Sequence, residues 1–361
     1  MWNLWALLTG RRKPADHDKT EQTAEDGASA AEESPVTDGV SEPDEAPVND
    51  EASEHDEAPV NDEASETDEA PEHDEASASD ETWDSEKPEK RRSLYDRCSG
   101  HGKKRKAPKI KKVPVALSGQ VTLGEGSAKI CVPVAGSADS ELEEQARAAA
   151  EAGADVVEWR ADYYDAIRDT AAAEGALQRI HEILGDIPIL FTYRTSREGG
   201  KGKADGEIYS GIVLWAAARP EVAVIDIEGL SNQYDAEVLV TKAKALGKPV
   251  IASAHFFDGT PKKNELADIF GCLQRTGADI LKVAAMPEKS RDVLRMMDVS
   301  REMDGMTSCP LITISMGDLG KITRVSGNIT GSCMTFGTAG AVTAPGQMTV
   351  ENLRRVMEQV G

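Results

Sequence analysis

The chain has 361 residues, 39% of them hydrophobic, and a formal net charge of −23 at pH 7. Residues 16–89 hold 29 acids against two bases, so that segment alone carries −27 and the rest is close to neutral. Five cysteines and six histidines are scattered with neither metal-ligand spacing nor a paired framework; this argues against a metal protein or a disulfide-stapled secreted domain and for free thiols in a reducing cytoplasm.

In chain order, Met1-Trp-Asn-Leu-Trp-Ala-Leu-Leu8 precedes Arg11-Arg12-Lys13. This stretch is too short to span a bilayer, and its positive charge lies on the wrong side for a secretory signal. Two tryptophans and three leucines beside a basic cluster leave open a weak membrane-surface contact through residues 1–13. Over 44–81 the triplet Asp-Glu-Ala recurs about every six residues with almost no large apolar side chain. Such a polymer cannot bury a core, so residues 1–108 are expected to be a disordered acidic extension, read equally as an electrostatic tether or as solvated low-complexity sequence. The basic run from Arg91 to Lys112 lacks interleaved aromatics, so a solvated linker is expected and no nucleic-acid contact.

Residues 109–361 read differently. A small hairpin is expected over 113–126, with Gly124-Glu125-Gly126 as its turn and the bottom of the domain as its seat. Apolar, β-branched runs at 129–135, 155–161, 187–194, 222–228, 250–257, 279–286, 311–316 and 333–338 then alternate with amphipathic helical stretches. Eight such units in about 230 residues predict an α/β fold, a (β/α)₈ TIM barrel. A doubly wound sheet would show a glycine-rich phosphate turn after its first strand, and Ala135-Gly136-Ser137-Ala138 is not one.

Function in a barrel gathers at the C-terminal strand ends. Strand two ends with Glu158, Arg160 and Asp162 on one face; strand three runs through Arg194 into Glu198-Gly199-Gly200. Strand four carries Asp226 and Glu228, strand five His255, strand six Lys282, and the loop after strand seven leads to Arg324. A charge cluster on this scale is more often an active site than a stability device. Lys282, within Asp279-Ile-Leu-Lys-Val-Ala-Ala-Met286, is the most telling member. Apolar surroundings favour its neutral, nucleophilic form, which condenses with ketones; the bland alternative is a strand lysine that snorkels to water. Four histidines lie before residue 109, and His181 falls on a helix surface beside Glu182, which leaves His255 as the proton-transfer candidate.

The segments Glu158-Trp-Arg-Ala-Asp162, Phe191-Thr-Tyr-Arg-Thr-Ser-Arg-Glu-Gly-Gly200, Ser253-Ala-His255, Leu281-Lys-Val-Ala-Ala-Met-Pro287, Ser315-Met-Gly-Asp-Leu-Gly320 and Ala344-Pro-Gly-Gln347 resemble, in order and spacing, type I 3-dehydroquinate dehydratase of the shikimate pathway. The resemblance runs from about residue 113 to the end of the chain and implies a Schiff-base dehydration of 3-dehydroquinate without metal or cofactor. It implies Lys282 as the imine lysine, His255 as general base and then general acid, and Glu198 as the carboxylate that orients His255. Arg324 would clamp the substrate carboxylate, while Glu158, Arg160, Arg194 and Asp226 would hold the ring hydroxyls and the imine's surroundings. Met316 would pack on the substrate or the lysine stem, and a lid over 343–347 would bring Thr343 and Gln347 inward. A homodimer is also implied. Phe256 stands where an Asp often follows the histidine in this family, but alternation turns position 256 away from the pocket. Two rival functions stay open: a class I aldolase acting on another small oxo-acid, and a binding scaffold that works through the acidic extension.

Overall fold

The computed structural model describes residues 110–117, 120–203, 205–340 and 344–360. The sequence readings for residues 1–109, and for Thr343, lie outside the described residues.

Eight parallel strands form the body: β3 (Lys129–Val134), β4 (Val156–Arg160), β5 (Ile189–Thr192), β6 (Val222–Glu228), β7 (Val250–Phe256), β8 (Ile280–Ala285), β9 (Leu311–Ser315) and β10 (Met334–Thr338). They pair in chain order from β3 to β9, with β10 beside β3. The ring closes where Leu311 bridges Ser332, just ahead of β10, and the Cys333 amide donates to the Leu311 carbonyl at 2.7 Å. This is the expected barrel, with each strand's bounds within two residues of the predicted run. A two-residue strand, β11 (Met348–Thr349), pairs with β10.

Helices α1 (Asp139–Glu151), α2 (Thr170–Leu184), α3 (Gly206–Ala217), α4 (Ala236–Ala245), α5 (Lys263–Arg275), α6 (Ser290–Asp304), α7 (Lys321–Val325), α8 (Gly327–Thr330) and α9 (Val350–Val360) connect the strands. The carboxylates of Asp169, Asp205 and Asp235 accept from the first free amides of α2, α3 and α4, which fixes where these helices begin. His181 lies exposed on α2, as expected.

Two strands, β1 (Val115–Ala116) and β2 (Thr122–Leu123), make the expected antiparallel hairpin. Its turn is misplaced in the sequence reading. The chain reverses between Leu117 and Val121, where the Leu117 amide donates to the Val121 carbonyl at 2.8 Å. Gly124-Glu125-Gly126 instead turns the chain from β2 into β3, with Gly124 at φ +84° and Gly126 at +67°, a conformation that only glycine adopts without strain.

Strand parity splits the apolar residues into two cores. Trp159, Phe191, Ile225, Ala252, Leu281 and their like face outward onto the helices. Cys131, Val156, Leu190, Val224, Ile251, Ile280, Ile312 and Met334 face inward and fill the lower barrel, which Leu123 of the hairpin plugs from below.

Candidate active site

Two residues farther along the same strands the interior changes character. Above Val156, Leu190, Val224, Ile251 and Ile280 stand Glu158, Thr192, Asp226, Ser253 and Lys282, all buried. Pro133, Ile314 and Phe336 keep the other side of this layer apolar. A cavity of about 240 Å³ opens above it, lined among others by Glu158, Arg160, Arg194, Glu198, His255, Lys282, Met316, Arg324 and Gln347. Of the residues singled out from sequence, Asp226 lies beneath this lining, against Lys282, and Thr343 is not described.

Leu281 and Val283, which flank Lys282 in sequence, face the outer core. Ile280 and Ala284 share its inward face above and below, whereas Nζ ends 3.4 Å from Asp226 Oδ2 and 3.6 Å from Glu158 Oε1. The snorkelling alternative fails, because the side chain is only 5% exposed. The expectation of an amine in purely apolar surroundings is corrected as well, since two carboxylates flank it. On its third side Nζ lies 4.5 Å from the centre of the Phe336 ring. Thr192 donates its hydroxyl to Glu158 at 2.9 Å, and Ser253 donates to Asp226 at 2.7 Å.

Arg194 ties the carboxylates together. Its Nη2 donates to Asp226 at 2.6 Å, and its Nη1 lies 3.3 Å from both Glu198 and Glu228 and 3.0 Å from the Ser253 hydroxyl. Although burial alone would raise it, the Asp226 carboxyl is held below its ordinary range by Arg194 and Lys282. Glu228 anchors the root of the next loop, accepting from the Thr195 amide at 2.7 Å and the Thr195 hydroxyl at 2.8 Å. Arg160 is occupied by a two-pronged pair with Asp162, both bonds 2.9 Å.

His255 Nδ1 sits 2.8 Å from Glu198 Oε2. Burial pushes the Glu198 carboxyl up to about 8, and burial together with the charges of Arg194, Lys282 and Arg160 pushes the imidazole well below its ordinary 6.5. The ring is therefore neutral and able to accept a proton.

Arg324 is the opposite case. Its guanidinium is buried and donates to the Phe336 carbonyl at 3.1 Å and the Pro345 carbonyl at 2.9 Å, while Nε has no partner. Among the described residues it makes no ion pair, and burial alone brings it down to about 10. A buried cation without an anion is costly, so the position is prepared for an anionic group. The Pro345 carbonyl also accepts from the Gly317 amide at 3.1 Å, which seats 344–347 over the loop after β9.

Phe256 does not line the cavity and packs on the outer core, as alternation requires. Sequence reading assigned no task to Ser253, Thr192, Phe336 or Phe257. Parity could have found the first two, because they stand two residues before His255 and Arg194. Burial holds the Cys131 and Cys333 thiols up, the latter to about 12, so neither competes as a nucleophile.

Known proteins are similar to this chain in sequence and in fold. Two proteins called 3-dehydroquinate dehydratase are similar to the chain. The one from Listeria monocytogenes serotype 4b is 38% identical over 238 residues, which cover 66% of this chain and 94% of that protein. The one from Klebsiella pneumoniae is 39% identical over 239 residues, covering 66% and 95%. The crystal structure of type I 3-dehydroquinate dehydratase from Clostridium difficile with covalently modified comenic acid superposes with a TM-score of 0.66 at 33% identity, covering 69% of this chain and 98% of that one. The family profile described as type I 3-dehydroquinase matches residues 130–361, and with that match over most of the barrel the chain belongs to the type I 3-dehydroquinase family.

Proposed function

We propose that this pocket dehydrates 3-dehydroquinate to 3-dehydroshikimate through an imine on Lys282. The observation that carries the reading is a convergence: a buried amine, a neutral imidazole held by a carboxylate, and an unpaired buried guanidinium all face one cavity. Arg324 takes the substrate carboxylate, which completes its ion pair. Lys282 yields a proton to one of its flanking carboxylates, Glu158 or Asp226. The free amine adds to the C3 carbonyl, and loss of water gives the iminium. His255 then takes the C2 proton, and the electron pair moves into the iminium as an enamine. The same proton leaves with the C1 hydroxyl as water, so His255 acts first as base and then as acid. Addition of water to the remaining imine releases the conjugated enone and restores Lys282. One water is lost overall, and the residues end as they began.

Met316 and Gln347 line the cavity beside Arg324 and complete the enclosure of the ring together with Arg160. The chemistry is assigned to residues 109–361, and the acidic residues 1–108 are assigned no part in it; the relatives named above support this, since their whole length is nearly spanned without such a segment. A homodimer in the cytoplasm completes the proposal, and sedimentation velocity tests the oligomer. The central test is borohydride reduction in the presence of 3-dehydroquinate: an irreversible adduct on Lys282 is expected, together with absorbance of the enone product when borohydride is omitted. An adduct on another lysine, or turnover with no adduct, overturns the mechanism.

A further inference from the structure

The hydrogen bond between Glu198 and His255 spans two elements, the loop after β5 and the end of β7. Arg194 Nη1, 3.3 Å away, is a second partner of the same carboxylate, and a misplacement of about 1 Å in such a pair is worth up to about 10²-fold in rate. A second contact between the same two elements lies one residue beyond Glu198 and two beyond His255. Gly199 is at φ +77°, and a Cβ placed on it would fall 2.3 Å from Cε2 and 2.4 Å from Cζ of Phe257. The ring therefore rests against the glycine backbone, and a side chain at position 199 would have to displace it.

Core packing does not account for Phe257. The ring is 41% exposed and belongs to neither hydrophobic core, while its neighbour Phe256 packs outward. It does line the cavity beside Gly199. The loop it presses on is tied elsewhere to itself and to the neighbouring strand ends: the Ser196 amide donates to the Gly202 carbonyl at 2.9 Å, and the Lys201 amide donates to Asp162 at 3.0 Å. Glu228 grips Thr195, and the amides of Glu198 and Gly200 donate back to the Thr195 carbonyl at 3.1 and 2.8 Å. Toward β7 the loop reaches through the Glu198 carboxylate, to His255 Nδ1 at 2.8 Å, and through the Gly199 backbone, to the Phe257 ring.

We propose that Phe257 is a positioning residue which, by seating its ring on Gly199, clamps the Glu198 loop onto β7 and excludes water from the Glu198–His255 pair. The chemistry it serves rests on the function proposed above. The clamp itself does not, since it is a property of the free protein.

The charged groups facing the pair are Arg160, Arg194, Asp226, Glu228 and Lys282. With the ring gone, water reaches the pair and screens all of them, so the imidazole rises toward 6.5 and the Glu198 carboxyl falls toward 4.5. Neutral His255 is the base, so the acid limb of the kcat profile moves to higher pH in such a variant.

The test compares Phe257→Ala, Phe257→Tyr and Gly199→Ala with the parent full-length protein. Imidazole ¹⁵N spectra of free protein report the Nδ1 hydrogen bond, with the His255 signals assigned by their loss in His255→Ala. Phe257→Ala is expected to weaken that signature, raise the acid limb and lower kcat by roughly 10- to 100-fold. The borohydride adduct on Lys282 should persist. Phe257→Tyr keeps the ring and should stay within about twofold of the parent. Gly199→Ala should reproduce the Phe257→Ala spectrum, and because Phe257 is half exposed its own truncation remains decisive if Gly199→Ala does not fold. A Phe257→Ala protein with the parent's His255 signals and acid limb, whatever its KM, overturns the proposal. If the parent itself neither turns over nor forms the adduct, the functional reading falls, and the spectra of the free protein still decide the clamp.

Discussion

The lower and upper layers of the barrel interior are built from the same strands, two residues apart, and follow opposite rules. Below, Val156, Leu190, Val224, Ile251 and Ile280 are fully or almost fully buried hydrocarbon capped by Leu123. Above, Glu158, Thr192, Asp226, Ser253 and Lys282 occupy the matching inward positions. A buried ionic layer is weak evidence for stability, because desolvation offsets the attraction between its charges. The lower layer thus supplies the rigidity that the upper layer uses, and stability and activity should separate by layer.

The largest effect expected is on activity. Lys282→Met should lower turnover by on the order of 10⁴-fold or more, since no other group supplies the electrophile. It should also cost stability, because Glu158 and Asp226 lose the cation between them. Single-turnover assay and thermal unfolding check the two parts. His255→Ala should lose roughly 10²- to 10⁴-fold in turnover and still give the borohydride adduct, because proton transfer is removed while the amine survives. Equal loss of adduct and turnover would leave His255 a structural residue.

One layer down the signs reverse. Ile251→Ala should cost about 2–5 kcal/mol of unfolding free energy, with the kcat of the folded fraction little changed. A variant that keeps its stability but loses activity would erase the distinction between the layers.

Glu198 links the two properties through pH. Its carboxyl is pushed from 4.5 up to about 8 in the folded state, so folding favours the protonated form. The stability this gives is fully present below pH 4.5 and is lost as pH rises through about 8. Glu198→Gln carries no charge to bury, so its unfolding free energy should gain on the parent between pH 5 and pH 9, by a few kcal/mol. Denaturant titration at the two pH values measures this, and a constant difference would show that the carboxyl titrates normally.

The smallest effect concerns the segment before the barrel. Removing residues 1–108 should leave kcat within about twofold. At low salt, loss of the −27 carried by residues 16–89 should raise kcat/KM for the anionic substrate modestly. The difference should vanish where the Debye length is about 8 Å. A truncated, folded protein that loses most activity at physiological salt would make the acidic segment part of the enzyme.

Much of the fold was legible because alternation along a strand is a local property. Glu158, Asp226, Ser253 and Lys282 share a parity with apolar residues below them, and that parity is written in the sequence. The hairpin's turn was misplaced because a positive-φ glycine pair marks a reversal without saying which one, and the two candidate turns are only a few residues apart. Phe257 stayed silent because its partner, Gly199, has no side chain to signal a contact.

The sequence by itself determined the barrel, the inward set of each strand and the residue types available for chemistry, since periodicity of two and the order of strand ends are properties of the chain alone. Only the tertiary structure decided how charges pair. Lys282 lies between Glu158 and Asp226, Arg194 joins three carboxylates, and Arg324 is left with carbonyls and no anion. Pairing depends on distances of a few ångströms between residues up to 124 positions apart in sequence, and closure of the barrel is what sets those distances.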